Sequence, residues 1–132
     1  MFIIDLSSRL AIYEQIVQQV EEGILKGLLK PEEQLPSVRA LSLELALNPN
    51  TVSKAYTELE RRGLCYSVPG SGRFVSPDAM QRLHEARSKL LDEITALSRE
   101  LKLTGFNRAD VINAVNKAYD ENIIENNQTE EK

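Results

Sequence analysis

Asn50, Ser53, Lys54, Thr57 and Arg61 recur at helical spacing on one side of the segment that follows Asn48-Pro49. Asn can pair with adenine, Ser and Thr with several bases, and Lys with guanine or a phosphate, so the row suits the edges of DNA bases. Small side chains near the start of such a helix let it enter a major groove that bulky ones would hold it out of. Arg39, one turn into the segment opened by Ser37, could reach a phosphate or a guanine edge. Gly70, Ser71, Gly72 and Arg73 form a tip that allows backbone to approach a sugar-phosphate chain. Each feature has a plainer reading: a solvated helix face, a surface arginine paired with Glu32 or Glu33, a tight hairpin turn. For the helix alone the two readings weigh about equally.

The elements around these residues shift that balance. Val52, Ala55, Tyr56 and Leu59 share the face opposite the polar row and predict packing on a core. Asn48 is a helix cap and Pro49 suits the first helical position, where no N–H is needed. The helix is expected to run to about Arg62 and to stop at Gly63. Before it, Ser37 caps a short helix with Val38, Leu41 and Leu45 on its apolar side and Leu43 as a further candidate. Ile12, Ile16, Val20 and Ile24, widened by Tyr13, Val17 and Leu25, predict a first helix from about Leu10 to Lys26. Ser7 and Ser8 are its candidate caps, Gly27 its stop, and Pro31 marks the turn after it.

Residues 1–6 are apolar (Phe2, Ile3, Ile4) and read as a strand or as an arm packing on a neighbour. Leu64 to Val68 and Arg73 to Ser76 are strand candidates around Pro69-Gly70-Ser71-Gly72. Helix, turn, helix and hairpin in this order predict a mainly α fold with a small β-wing. Residues 1–76 are expected to form a winged helix-turn-helix domain that binds double-stranded DNA.

After Pro77 the pattern changes. Met80, Leu83, Leu90, Ile94, Leu97 and Leu101 fall on alternating three- and four-residue steps, with Arg87 the polar intruder. This is the narrow a/d seam of a helix that pairs with another. Leu83, Leu90, Ile94, Leu97 and Leu101 are expected to join a homodimer; the alternative is a monomer whose helix folds back. Gly105 stops that helix. Asn107 and Asp110 then match a capping box, with Phe106 and Val111 as a hydrophobic staple. A last helix carries Val111, Ile112, Val115, Ala118 and Tyr119, so residues 77–122 read as a two-helix dimerisation region. Residues 123–132 are polar and acidic, and are expected to fray.

The net charge of -4 is unevenly placed. Residues 77–132 carry 8 Lys/Arg against 11 Asp/Glu, whereas residues 37–76 carry Arg39, Lys54, Arg61, Arg62 and Arg73 against Glu44, Glu58 and Glu60. DNA binding requires a locally basic face, which this permits. The chain has room for one domain with an appendage. No run approaches a membrane span and no signal-peptide layout opens it; with a single Cys, a cytoplasmic location is expected.

His84 is the single histidine, and no second His or Cys-rich cluster suggests a metal site or cofactor. Cys65 reads as a small buried hydrophobe, with a redox switch the remote alternative. Ser53 lacks a His or Lys base at a recognisable spacing, and Gly70-Ser71-Gly72 lacks the context of a nucleophile elbow, so no enzyme is expected. The rival function is a winged-helix adaptor that contacts proteins and does not read DNA.

The stretches Leu35-Pro36-Ser37-Val38-Arg39-Ala40-Leu41, Asn48-Pro49-Asn50-Thr51-Val52, Ala55 to Leu64 and Val68 to Val75 resemble, in this order, the GntR family of bacterial winged-helix regulators. The resemblance covers roughly residues 8–76. It implies DNA contacts at Arg39, Asn50, Thr51, Ser53 and Lys54, and a wing at Gly70 to Arg73. About 56 residues follow the wing, enough for two helices, which resembles the YtrA subfamily with its short dimerising tail. That subfamily implies repression, often of transporter genes, at an inverted repeat. A small-molecule effector is a further candidate partner, placed by this reading in the crevice between winged domain and tail. Two departures stand out: Ala11 where a proline commonly opens the first helix, and Glu32 after Pro31 where a left-handed turn residue is wanted.

Overall fold

The computed structural model describes residues 2–121. Its elements are α1 (Ile12–Leu25), α2 (Val38–Leu45), α3 (Pro49–Arg61), β1 (Cys65–Val68), β2 (Gly72–Val75), α4 (Ala79–Leu103) and α5 (Arg108–Asp120). The expected fold, mainly α with a two-stranded wing, is the one observed. Asn122 and the expected tail at 123–132 lie outside the described residues.

Two units meet between Arg87 and Ser88, later than the expected boundary after Ser76. The reason is α4, whose first turns belong to the first unit: Ala79 and Leu83 are buried in the core formed by α1, α2, α3 and the wing. Leu83, expected at a dimer seam, is only 4% exposed and therefore packs within its own chain. Ile16, Leu41, Val52, Tyr56 and Leu59 form the centre of that core. Each such side chain contributes about 1.5–3 kcal/mol by leaving water.

The caps explain the helix boundaries. Asn48 Oδ1 accepts the Asn50 N–H at 2.8 Å, and Pro49 opens α3 as the sequence predicts. Ser37 Oγ accepts the Ala40 N–H at 3.0 Å to start α2. Leu43, a candidate for the buried side of α2, is 72% exposed. α1 begins at Ile12, later than expected, because Ser8 Oγ accepts the Leu10 N–H and so caps a preceding turn. At Ala11 the capping is one-sided: Glu14 Oε1 accepts the Ala11 N–H at 3.2 Å, while alanine has no oxygen to return.

Residues 2–6 form no strand. Gln15 takes both backbone groups of Asp5, and Gln19 both of Ile3, so two side-chain amides hold the arm along α1 while Phe2 enters the core.

β1 and β2 pair antiparallel, with Cys65 opposite Val75 and Val68 opposite Gly72. Pro69 and Gly70 (φ 80°) occupy the middle of the turn, which the Ser71 N–H closes onto the Val68 carbonyl at 2.9 Å. The other edge of β2 is covered by residues 32–35, through Glu32 N–H to Val75 O, Val75 N–H to Glu33 O and Leu35 N–H to Arg73 O, each 2.8 Å. No alternation in residues 32–35 predicts this third segment.

In the second unit no described residue is buried. Its capping box is complete: Asn107 Oδ1 accepts the Asp110 N–H at 3.0 Å and Asp110 Oδ2 accepts the Asn107 N–H at 2.9 Å. Ile94, Leu97 and Leu101 of α4 face Phe106, Val111 and Val115 across an open apolar groove.

Candidate nucleic-acid interface

α3 presents the polar row outward. Asn50, Lys54 and Thr57 are exposed, with Thr51 and Ser53 half-buried beside them. Asn50, Ser53, Lys54 and Thr57 line one shallow cleft together with Tyr13 of α1. The Lys54 ammonium stands 4.2 Å from the centre of the Tyr13 ring. At an exposed site such a contact contributes about 0.5–1 kcal/mol and steers the lysine. The sequence pattern places Tyr13 in the apolar stripe of α1, and its phenol head at the stripe's margin is the signal for this second role.

A second cleft brings Ser37 and Arg39 at the start of α2 beside Ser71, Gly72 and Arg73 of the wing. Gln34 holds that arrangement by donating its Nε2 to the Ser71 carbonyl at 2.7 Å. Gly72, at φ 121°, leaves room for it: a Cβ there would stand 2.7 Å from the amide nitrogen. No local sequence pattern marks Gln34, because its partner lies 37 residues away.

The basic residues differ in what they can offer. Arg39 is exposed and forms no ion pair among the described residues. The acids that could have paired with it are engaged elsewhere: Glu32 accepts the Tyr66 hydroxyl at 2.7 Å, and Glu33 accepts the Lys30 N–H at 2.9 Å. Arg73, expected at the wing, is engaged within the chain. It contacts Glu60 at 3.3 Å, lies 5.3 Å from the Tyr56 ring centre and is 27% exposed, which makes it a brace between α3 and the wing. Arg61 and Arg62 both close on Glu58, at 2.6 and 2.7 Å, and these hydrogen bonds hold the Glu58 carboxyl down to about 2. The local basic surplus is thus partly neutralised within the chain, leaving Arg39 and Lys54 as the forward cations.

At the start of α3, Asn48 Oδ1 takes the Asn50 N–H and the Asn48 carbonyl takes that of Thr51. Cys65 is buried, and burial pushes its thiol up to about 11, so it is a packing residue. His84 is exposed. Among the described residues, no group of three or more His, Cys, Asp or Glu could hold a metal ion, and no helix is long and apolar enough to cross a membrane.

Within the first unit, the segment from the start of α1 to the last residue of β2 coincides with a known family. The model of bacterial regulatory proteins, gntR family, matches residues 12–75. The HTH-type transcriptional repressor YtrA of Bacillus subtilis (strain 168) is 48% identical over 90 residues, which cover 68% of this chain and 69% of that protein. The chain belongs to the gntR family. A GntR family transcriptional regulator from Listeria monocytogenes has the same fold at a TM-score of 0.65 and 33% identity, over 86% of this chain and 98% of that one. YtrA from Sulfolobus acidocaldarius, a GntR-family transcription factor, matches at a TM-score of 0.54 and 38% identity, over 67% of this chain and 97% of its own. This gntR-family chain is accordingly a YtrA-like transcriptional regulator with a winged-helix DNA-binding domain.

Proposed function

We propose that the protein is a homodimeric repressor, acting in the cytoplasm, that reads an inverted-repeat operator with one α3 from each copy. The observation that carries this reading is the pairing of two exposed surfaces of opposite character. On the first unit, Asn50, Ser53, Lys54 and Thr57 line one open cleft with chemistry suited to base edges, and Arg39 lines a second cleft beside the wing, suited to backbone. On the second, Leu90, Ile94 and Leu97 are 51%, 47% and 59% exposed, a contiguous apolar surface of the kind that marks a protein contact. A second copy of the same seam is the partner whose pattern matches it. Two reading helices would then enter successive major grooves about 34 Å apart. The Bacillus relative YtrA is a transcriptional repressor, which supports repression. Control of transporter genes, and an effector that alters the spacing of the reading heads, extend the same reading.

Selection of random duplex DNA with purified protein, followed by sequencing of the bound pool, tests it. An enriched inverted repeat is expected. Absence of enrichment at low salt would overturn DNA reading and bring the adaptor function forward.

A further inference from the structure

Three carbonyls at the wing turn toward the segment that covers β2. That of Val75 accepts the Glu32 N–H and that of Arg73 accepts the Leu35 N–H, both at 2.8 Å. Ser71 comes two residues earlier, where a longer ladder would place its next main-chain donor. The covering segment has none to give there. Pro36 lacks an N–H, and from Ser37 the backbone turns into α2. The Gln34 side chain fills that place, its Nε2 donating to the Ser71 carbonyl at 2.7 Å. Gly72 admits the amide because it carries no Cβ. Among the described residues, no other side chain hydrogen-bonds the turn at residues 69–72.

From this we infer that Gln34 is a positioning residue for DNA binding. It fixes the tip of the wing against the start of α2, so that the tip and Arg39 meet the DNA backbone at one set separation. This role rests on the DNA reading proposed above.

The tip needs such a strut. Residues 68–72 are exposed, and a two-stranded hairpin is marginally stable by itself. Arg39, Ser71 and Gly72 line one cleft with Gln34, so movement of the tip changes its distance from the arginine. Holding the tip before DNA arrives removes part of the ordering cost from binding. A bond between Gln34 and a wing carbonyl touches no base. It governs where the backbone is held and leaves the choice of sequence to α3.

An iron chelate attached at Ser71→Cys cuts DNA where the tip stands, and the buried Cys65 does not compete for the label. The labelled full-length protein is compared on the selected operator with Gln34 in place and with Gln34→Met or Gln34→Glu. Methionine keeps the length without a donor, and glutamate keeps the shape but brings only acceptors. With Gln34 the cuts are expected in one narrow cluster per half-site, and in both variants they are expected to spread along the backbone. Unlabelled Gln34→Met is expected to lose about three- to tenfold affinity, the equivalent of one hydrogen bond, equally on the operator and on its single-base variants. Cuts as narrow in both variants as with Gln34 would overturn the role. So would a loss of base preferences alongside the spread, which marks a general loosening of the domain. A parent that binds the operator yet yields no cuts would instead show that the wing stays off DNA, and a parent that selects no operator would remove the DNA reading itself.

Discussion

The hydroxyl of Tyr56 donates to the Pro36 carbonyl at 2.7 Å, tying the middle of α3 to the residue that precedes the cap of α2. Arg73 lies against the same ring. Tyr56 therefore holds together α3, the start of α2 and the wing, the three parts proposed to meet DNA. Tyr56→Phe keeps the packing but leaves the Pro36 carbonyl without that donor. A stability loss of about 1–2 kcal/mol is expected in urea unfolding. An unchanged midpoint would show that the carbonyl finds another partner and that the tie is dispensable.

Alkaline pH should weaken the domain. Burial pushes the Cys65 thiol up to about 11 from the ordinary 9.0, and pushes the Tyr56 phenol up as well. Between pH 9 and 11 the unfolded thiol loses its proton while the folded one keeps it. The folded state then binds more protons, so unfolding becomes easier as pH rises. Stability measured from pH 8 to 11 is expected to fall, and Cys65→Ala to flatten the descent across that window. A descent of the same slope in Cys65→Ala would assign it to other groups.

Glu32 adopts φ 70°, the left-handed conformation anticipated from its place after Pro31. A residue with a Cβ is strained there by about 1–2 kcal/mol. Glu32→Gly relieves that strain, offset by a more flexible unfolded chain and by loss of the exposed bond from Tyr66. A net gain of about 0.5–1 kcal/mol is expected in chemical denaturation. A loss would mean that the Tyr66 contact outweighs the strain.

These cases show what the sequence made legible. Helix starts were readable because Asn48-Pro49, Ser37 and Asn107 carry the capping chemistry in adjacent residues. The left-handed turn at Glu32 was readable by its departure from a family pattern. Long-range polar partners were not. Charge counting made Arg61, Arg62 and Arg73 part of a basic face; Glu58 binds the first two at i,i+3 and i,i+4, a spacing the sequence does show, whereas Glu21 and Glu60 bind Arg62 and Arg73 from 41 and 13 residues away. The periodicity at Leu83 was real too, but a stripe does not say what covers it. Its first turns face the chain's own core.

The two ends of that stripe should therefore respond differently. Leu83→Ala opens a cavity in the core and is expected to destabilise the winged unit by about 2–5 kcal/mol. Leu97→Asp, at an exposed position, is expected to leave winged-unit unfolding intact while shifting sedimentation velocity to the monomer. A dimer that survives Leu97→Asp would place the interface elsewhere.

The central claim is that the outward face of α3 reads bases. It is tested most directly by the affinities of the parent and of Asn50→Ala for the selected operator and for every single-base variant of it. Asn50 is exposed near the helix start, with its side chain on the open cleft. Asn50→Ala is expected to lose about 1–3 kcal/mol of discrimination at one position per half-site and to keep the parent preferences at the others. Uniform weakening across all variants, with every preference retained, would contradict it.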